Sequence, residues 1–190
     1  MTYIVAGRPA IDDARIDPAD IVAGGEAISF EGPWVLGAPI IARLDDDAID
    51  GLRSKISGHG AYAVEALADP GAGAAFVIGA HRVHDPEGFR PYAEQVAAVV
   101  ESFGGRFIAR GGKVTWLGGA FVPDRAVIIE FPTAADVVAF YGSDVYAPLL
   151  KIRHAAADPC FVLLARAGPL PAEAHAAAET YLRSRPASSH

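Results

Sequence analysis

The stretch that most constrains the fold runs from Ala75 to Gly104. AFVIGAHRV, residues 75–83, is apolar and β-branched enough for a buried strand. DPEGFRPYAEQVAAVVESFGG follows, with Asp85 as a capping residue, Pro86 at the first helical position and Gly104 just past the end. Phe89, Tyr92, Val96, Val99, Val100 and Phe103 recur at helical spacing and form one apolar stripe. A strand feeding a helix with a single sticky face needs a sheet to cover, so the chain must supply further strands.

It does. In GGRFIARGGKVTWLGG, residues 104–119, alternation predicts a strand in which Arg106, Ile108 and Arg110 share one face and Phe107 and Ala109 the other. Gly111-Gly112 interrupts it as a bulge or sharp bend would, Lys113–Leu117 resumes it, and Gly118-Gly119 with Pro123-Asp124 turns into a strand over 126–131. Thr133 caps a second helix, TAADVVAFYGS; SDVYAPLLKIRHAA gives a shorter helical piece; CFVLLARA, residues 160–167, closes as a strand. The order βαββαβ predicts an α+β, ferredoxin-like arrangement with both helices on one sheet face.

The remaining bounds are exclusions. In 190 residues there is one cysteine, Cys160, which rules out an intrachain disulfide and fits a small buried hydrophobe. A formal charge of −7 with no basic run argues against nucleic acid as a partner. No apolar stretch approaches the roughly 20 residues that span a bilayer, and the start lacks a secretory pattern, so a cytoplasmic location and no membrane partner are expected. No HExxH, CxxC or P-loop is present, and GAGAAF precedes its strand where a dinucleotide fingerprint follows one; neither metal nor cofactor is expected. His81 and His84, three apart on a strand, fall on opposite faces and make poor joint metal ligands. His59 and His175 have no obvious partner in the sequence.

AFVIGAHRVHDPEGFRPY, GGRFIARGGKV and VIIEFPTAADVVAFYGSDVYAPLLKIR together resemble the DUF1330 family, a branch of the dimeric α/β-barrel superfamily, over about residues 74–167. The resemblance implies a small homodimer whose open sheet faces meet as a barrel, with a cleft inside each protomer. It implies no particular chemistry, since relatives in that superfamily include cofactor-free monooxygenases, lactone isomerases, haem enzymes and sensing modules.

Residues 1–70 lie outside that resemblance. TYIVAG, EAISF, WVLGAPIIARL and AYAVEALAD are strand-like, DPADIVAGG resembles a short capped helix, and LDDDAIDGLRSKISGHG has the acidic first turn of a helix, with Ile49, Leu52 and Ile56 on one side. This is again βαββαβ, and GPWVLGAPI is similar to KVTWLGGAF at the equivalent place. Two readings stand: a degenerate second half that builds the barrel within one chain, with DPGAGAA (69–75) as linker, or an unrelated extension packed on it. Beyond residue 170, an Ala-rich pattern predicts a helix over Ala172–Ser184, with Tyr181 and Leu182 as its large anchors.

The candidate site follows from the strand faces. A simple hairpin centred near Ala120 sets Arg110 across from Glu130, on the sheet face away from the helices together with Arg106. An arginine fork grips a carboxylate or enolate, and Glu130 beside it is the candidate general base; a cross-strand ion pair is the plainer reading of the same residues. Tyr92, Trp116, Tyr141, Arg153 and His154 are candidate substrate-binding residues, with His154 also suited to the carbonyl end of its helix. The leading expectation is a metal-free small-molecule enzyme performing proton transfer, isomerisation or oxygenation. The alternatives are a non-catalytic ligand-binding or regulatory module and a structural partner subunit. The partner expected is a small-molecule ligand, with either a homodimer or a pseudo-dimer within one chain.

Overall fold

In the computed structural model, which describes residues 1–32, 38–56, 60–111, 113–119 and 122–184, the chain is mixed α+β. Its first part runs β1 (Thr2–Gly7), α1 (Arg8–Ala14), β2 (Ile21–Ala23), β3 (Ala27–Glu31), β4 (Pro39–Leu44), α2 (Asp46–Leu52) and β5 (Ala61–Glu65). The second runs β6 (Ala75–Val83), α3 (Pro86–Ser102), β7 (Arg106–Arg110), β8 (Val114–Gly118), β9 (Arg125–Phe131), α4 (Ala134–Tyr141), α5 (Ala147–Ala156), β10 (Ala157–Ala165) and α6 (Ala172–Ser184). No helix among the described residues is long and apolar enough to cross a membrane.

Among the described residues, ten strands form two five-stranded sheets, ordered β2-β4-β1-β5-β8 and β3-β10-β6-β9-β7, and every pairing is antiparallel. Four strands of each sheet come from one half of the chain and one edge strand comes from the other: β8 joins β5, and β3 joins β10. The exchange corrects the expected hairpin over 106–131. The chain does not turn back after Arg110 but crosses to the opposite sheet, with Gly111 at the crossing in the left-handed region (φ +60°), where side chains other than glycine are strained. Its N–H still donates to the Ala126 carbonyl; Gly112 lies outside the described residues.

Three apolar layers explain why the strands read as continuous hydrophobic runs: both faces of each sheet are covered. Tyr3, Val5, Ile41 and Val64 of the first sheet pack against Phe76, Ile78, Ile128 and Leu164 of the second. Ile4, Ile40, Ile49 and Leu52 fill the outer layer under α1 and α2. Val96, Phe140, Phe161 and Leu163 belong to the layer under α3 to α6. The caps expected at Asp85 and Thr133 are present, the latter as a capping box with Asp136. The last helix spans Ala172–Ser184 as expected and docks on its own chain, where Tyr181 meets Phe30 and Tyr141 edge-on.

The N-terminal reading needs one revision. The first helix is Arg8–Ala14, begun by Pro9 in its first turn, while DPADIVAGG forms a 3-10 turn capped by Asp17 and then β2. The GPWVLG part of the internal similarity falls largely on residues 33–37, and His59 on 57–59; both lie outside the described residues.

At the far end of β8, Gly119 has φ +97°, and a Cβ there would stand 2.7 Å from the Cα of Gly60. Gly119→Ala is therefore expected to cost about 2–3 kcal/mol. Urea unfolding checks it, with a loss below about 0.5 kcal/mol contradicting this close approach.

Candidate functional site

Most of the predicted site residues lie in the layer between the second sheet and its helices. Arg153 and His154 sit in the last turn of α5, and the exchanged strand β3 brings Glu31 opposite Phe161 of β10. Arg153 Nη2 donates to Glu31 Oε1, and His154 Nε2 lies 2.7 Å from Glu31 Oε2. The side chains of Arg153 and Glu31 are both 0% exposed. The guanidinium lies over the Phe161 ring at 4.1 Å and near Tyr92 and Tyr146 at 5.6 and 5.9 Å, a cation held by aromatic faces. Its Nε and Nη1 have no hydrogen-bond partner among the described residues.

Next to this cluster stands His81 of β6, 1% exposed, with neither ring nitrogen bonded among the described residues. Its ring meets Phe161 and Phe89 edge-on at 5.0 and 5.2 Å. Burial pushes its pKa down to about 3, and the Arg153 charge adds to the effect, so the imidazole is neutral. Beside it lies a cavity of about 40 Å³ between α3, β7 and β9, walled by Phe89, Tyr92 and Phe107, with Arg110 and Arg125 at its edge.

Arg110 is in that edge for a reason the alternation pattern did not contain. A register shift between Phe107 and Ala109 puts Ile108 and Ala109 both toward the opposite sheet and turns Arg110 back to the helix side. There it donates to the Ala93 carbonyl and covers Phe107. The expected pairing of Arg110 with Glu130 is thereby corrected: Arg110 is opposite Val127, and Arg106 is opposite Glu130.

Glu130 does point toward the opposite sheet, but at its margin, where the link between the halves crosses it. Its carboxylate accepts from the Gly71 and Gly73 N–H groups, from Arg106 and from Arg166. Burial alone would raise its pKa; the Gly71 and Gly73 N–H groups and Arg106 outweigh that and hold it below the usual carboxylate range. With its oxygens engaged by four donor groups, this carboxylate is arranged as an anchor for the link, and the geometry offers it no free lone pair for a general base.

Trp116 is separate from all of these. It lies on β8 in the first sheet, 40% exposed, along an open groove of about 700 Å³ with Asp46, Arg53 and Lys113. Tyr92, Tyr141, Arg153 and His154 thus converge, Arg110 joins them at the cavity edge, and Arg106, Glu130 and Trp116 do not. Tyr141 stacks on Phe30 at 4.7 Å, and burial raises its pKa. Glu31, His81 and Arg125 were missed in the sequence because no local pattern marks them; Glu31 is brought in by strand pairing across the halves, and His81 and Arg125 meet through the pairing of β6 with β9. No group of three or more metal-ligating side chains occurs among the described residues.

The family described as a domain of unknown function (DUF1330) matches residues 74–167, and this segment belongs to it. No curated protein matches the chain.

Two outcomes follow from the cluster. Glu31→Ala leaves Arg153 charged and buried without its carboxylate and should cost about 3–5 kcal/mol, whereas Glu31→Met with Arg153→Met should recover most of that loss. Chemical denaturation of the two variants checks this, and equal losses in the single and double variants would contradict it. Second, unfolded His81 takes up a proton below pH ~6.5 while the folded imidazole does not until about 3, so stability falls as pH drops through that window. His81→Phe should flatten the acid side of a Tm-against-pH curve between pH 6.5 and 4; an unchanged slope would mean that His81 titrates alike in both states.

Proposed function

We propose that this DUF1330 chain is a small-molecule enzyme of the dimeric α/β-barrel type, folded as a pseudo-dimer of two ferredoxin-like halves, about 1–70 and 74–167. Counted along each half with the exchanged strands β3 and β8 left out, the strand orders β5-β1-β4-β2 and β10-β6-β9-β7 are the same, 4-1-3-2, which supports the tandem reading over an unrelated extension. The sheet face that would be open in a lone half is already covered by the other half, which favours a pseudo-dimer within the chain over a homodimer built through that face.

The observation that carries the functional reading is His81: a neutral, buried imidazole with two unused hydrogen-bonding atoms beside an aromatic cavity. Buried polar groups ordinarily find partners, and one left open at a cavity wall is arranged for something that enters. A neutral imidazole can accept a proton from a bound compound at one ring nitrogen and return it to another atom of the same compound, an isomerisation with no net gain or loss of atoms. Burial works against the imidazolium, and negative charge developing on the substrate would offset it. Tyr92 packs beside the imidazole as part of the cavity wall, and Arg153 with His154 is held behind it by Glu31.

The depressed pKa of His81 favours one second reading, a non-catalytic ligand-binding module at the same cavity. Exchange of carbon-bound protons separates the two. With a panel of small oxo-acids and phenols in heavy water, the wild-type chain should accelerate deuterium uptake into one compound, and His81→Gln should slow it by about a hundredfold or more while remaining folded. Binding without exchange would overturn the enzyme in favour of the module. An absence of both would overturn the cavity as a ligand site.

A further inference from the structure

The edge of the His81 cavity carries a charge pattern that the pseudo-dimer does not need. Arg110 and Arg125 both stand there, exposed, and among the described residues neither is paired with a carboxylate. Arg43, Arg82, Arg90, Arg106, Arg153 and Arg166 are paired with carboxylates, while Arg8, Arg15 and Arg53, like Arg110 and Arg125, show no ion pair among the described residues. A chain of net charge −7 has carboxylates to spare, yet these two guanidinium groups lie instead on the faces of Phe107 and Phe89, which wall the cavity. Stacking on an aromatic face holds each planar fork in place while leaving N–H donors toward solvent. The register places Arg125 directly across from His81, so cation and imidazole belong to one location.

Resting on the cavity reading above, we infer that the ligand is a compact carboxylate bearing a second oxygen, a hydroxy- or oxo-acid. Arg110 and Arg125 receive the carboxylate at the edge, where the fork geometry suits two-point contact. The space beside His81 is narrow, about 40 Å³ between Phe89, Tyr92 and Phe107, so it admits a single small group of the ligand. That group is the hydroxyl or carbonyl oxygen, because His81 offers one donor and one acceptor and Phe89, Tyr92 and Phe107 present mainly apolar surface around it. An apolar group alone would leave the imidazole unsatisfied.

Calorimetry and NMR of histidine-labelled chain test this with four probes: lactate, pyruvate, acetate and lactamide. His81 signals are assigned by their loss in His81→Phe. Lactate or pyruvate should shift the His81 ring signals and bind about tenfold or more tightly than neutral lactamide. Arg125→Gln should remove that advantage while leaving lactamide binding and the thermal melt unchanged, since Arg125 is exposed. If lactamide binds as well as lactate and shifts His81, the carboxylate class is overturned while the cavity reading stands. If acetate matches lactate, the second oxygen is overturned. If no probe moves the His81 signals, carboxylate or neutral, this inference and the reading beneath it fall together.

Discussion

The interaction on which the rest depends is the buried pair of Arg153 and Glu31. Two charges fully removed from water are tolerated only when each is satisfied by the other and by its surroundings. Here those surroundings are built from both halves: Glu31 arrives on β3, Arg153 on α5, and Phe161, which carries the guanidinium, lies opposite Glu31 in the ladder. A slip of β3 by one residue would send the carboxylate to the opposite face and strand the cation. The pair therefore selects one register for the exchanged strand. It also fixes the wall behind His81, since the Phe161 ring meets both the guanidinium and the imidazole.

A second carboxylate serves the covalent join. Glu130, through Gly71, Gly73, Arg106 and Arg166, fastens the link where it passes from one half to the next, and Arg166 also donates to the Gly71 and Gly73 carbonyls. Tyr3 adds a hydrogen bond from its hydroxyl to Ala68, and burial raises its pKa to about 12. A Gly/Ala-rich segment that composition marks as flexible is thus held by charge-assisted bonds along its length. The chain has spent one buried carboxylate on fixing β3 and another on fixing the link.

What could be read beforehand divides along the same line. The helix α3, its Asp85 cap, the capping box at Thr133 and the final helix follow from spacing and local hydrogen bonding, which a linear sequence records. The second sheet's four local strands were equally visible in their apolar runs. The destination of β8 was not, because Gly111-Gly112 looks the same whether a chain turns back or crosses over; the deciding partner, β5, lies some fifty residues earlier. The bulge in β7 likewise reversed Arg110 without leaving a mark in the alternation of Arg106, Ile108 and Arg110. Tyr92 and Tyr141 drew attention as aromatics on helix stripes, and Arg153 with His154 as cationic residue types at the end of a short helix. Glu31 was not, since its significance is given by a strand on the other half.

The strand exchange also bears on how the molecule comes into being. Glu31 is synthesised 122 residues before Arg153, and β5 is complete before the glycine crossing that leads to β8 exists. Through much of translation the first half therefore carries one strand with no sheet to join and one sheet edge with no neighbour, both apolar and both able to pair with a foreign chain. The long separation of these contacts slows their closure, and neither half can complete its own sheet in isolation. The second sheet is accordingly completed last, when the arrival of the final strand gives the earliest unplaced one its seat.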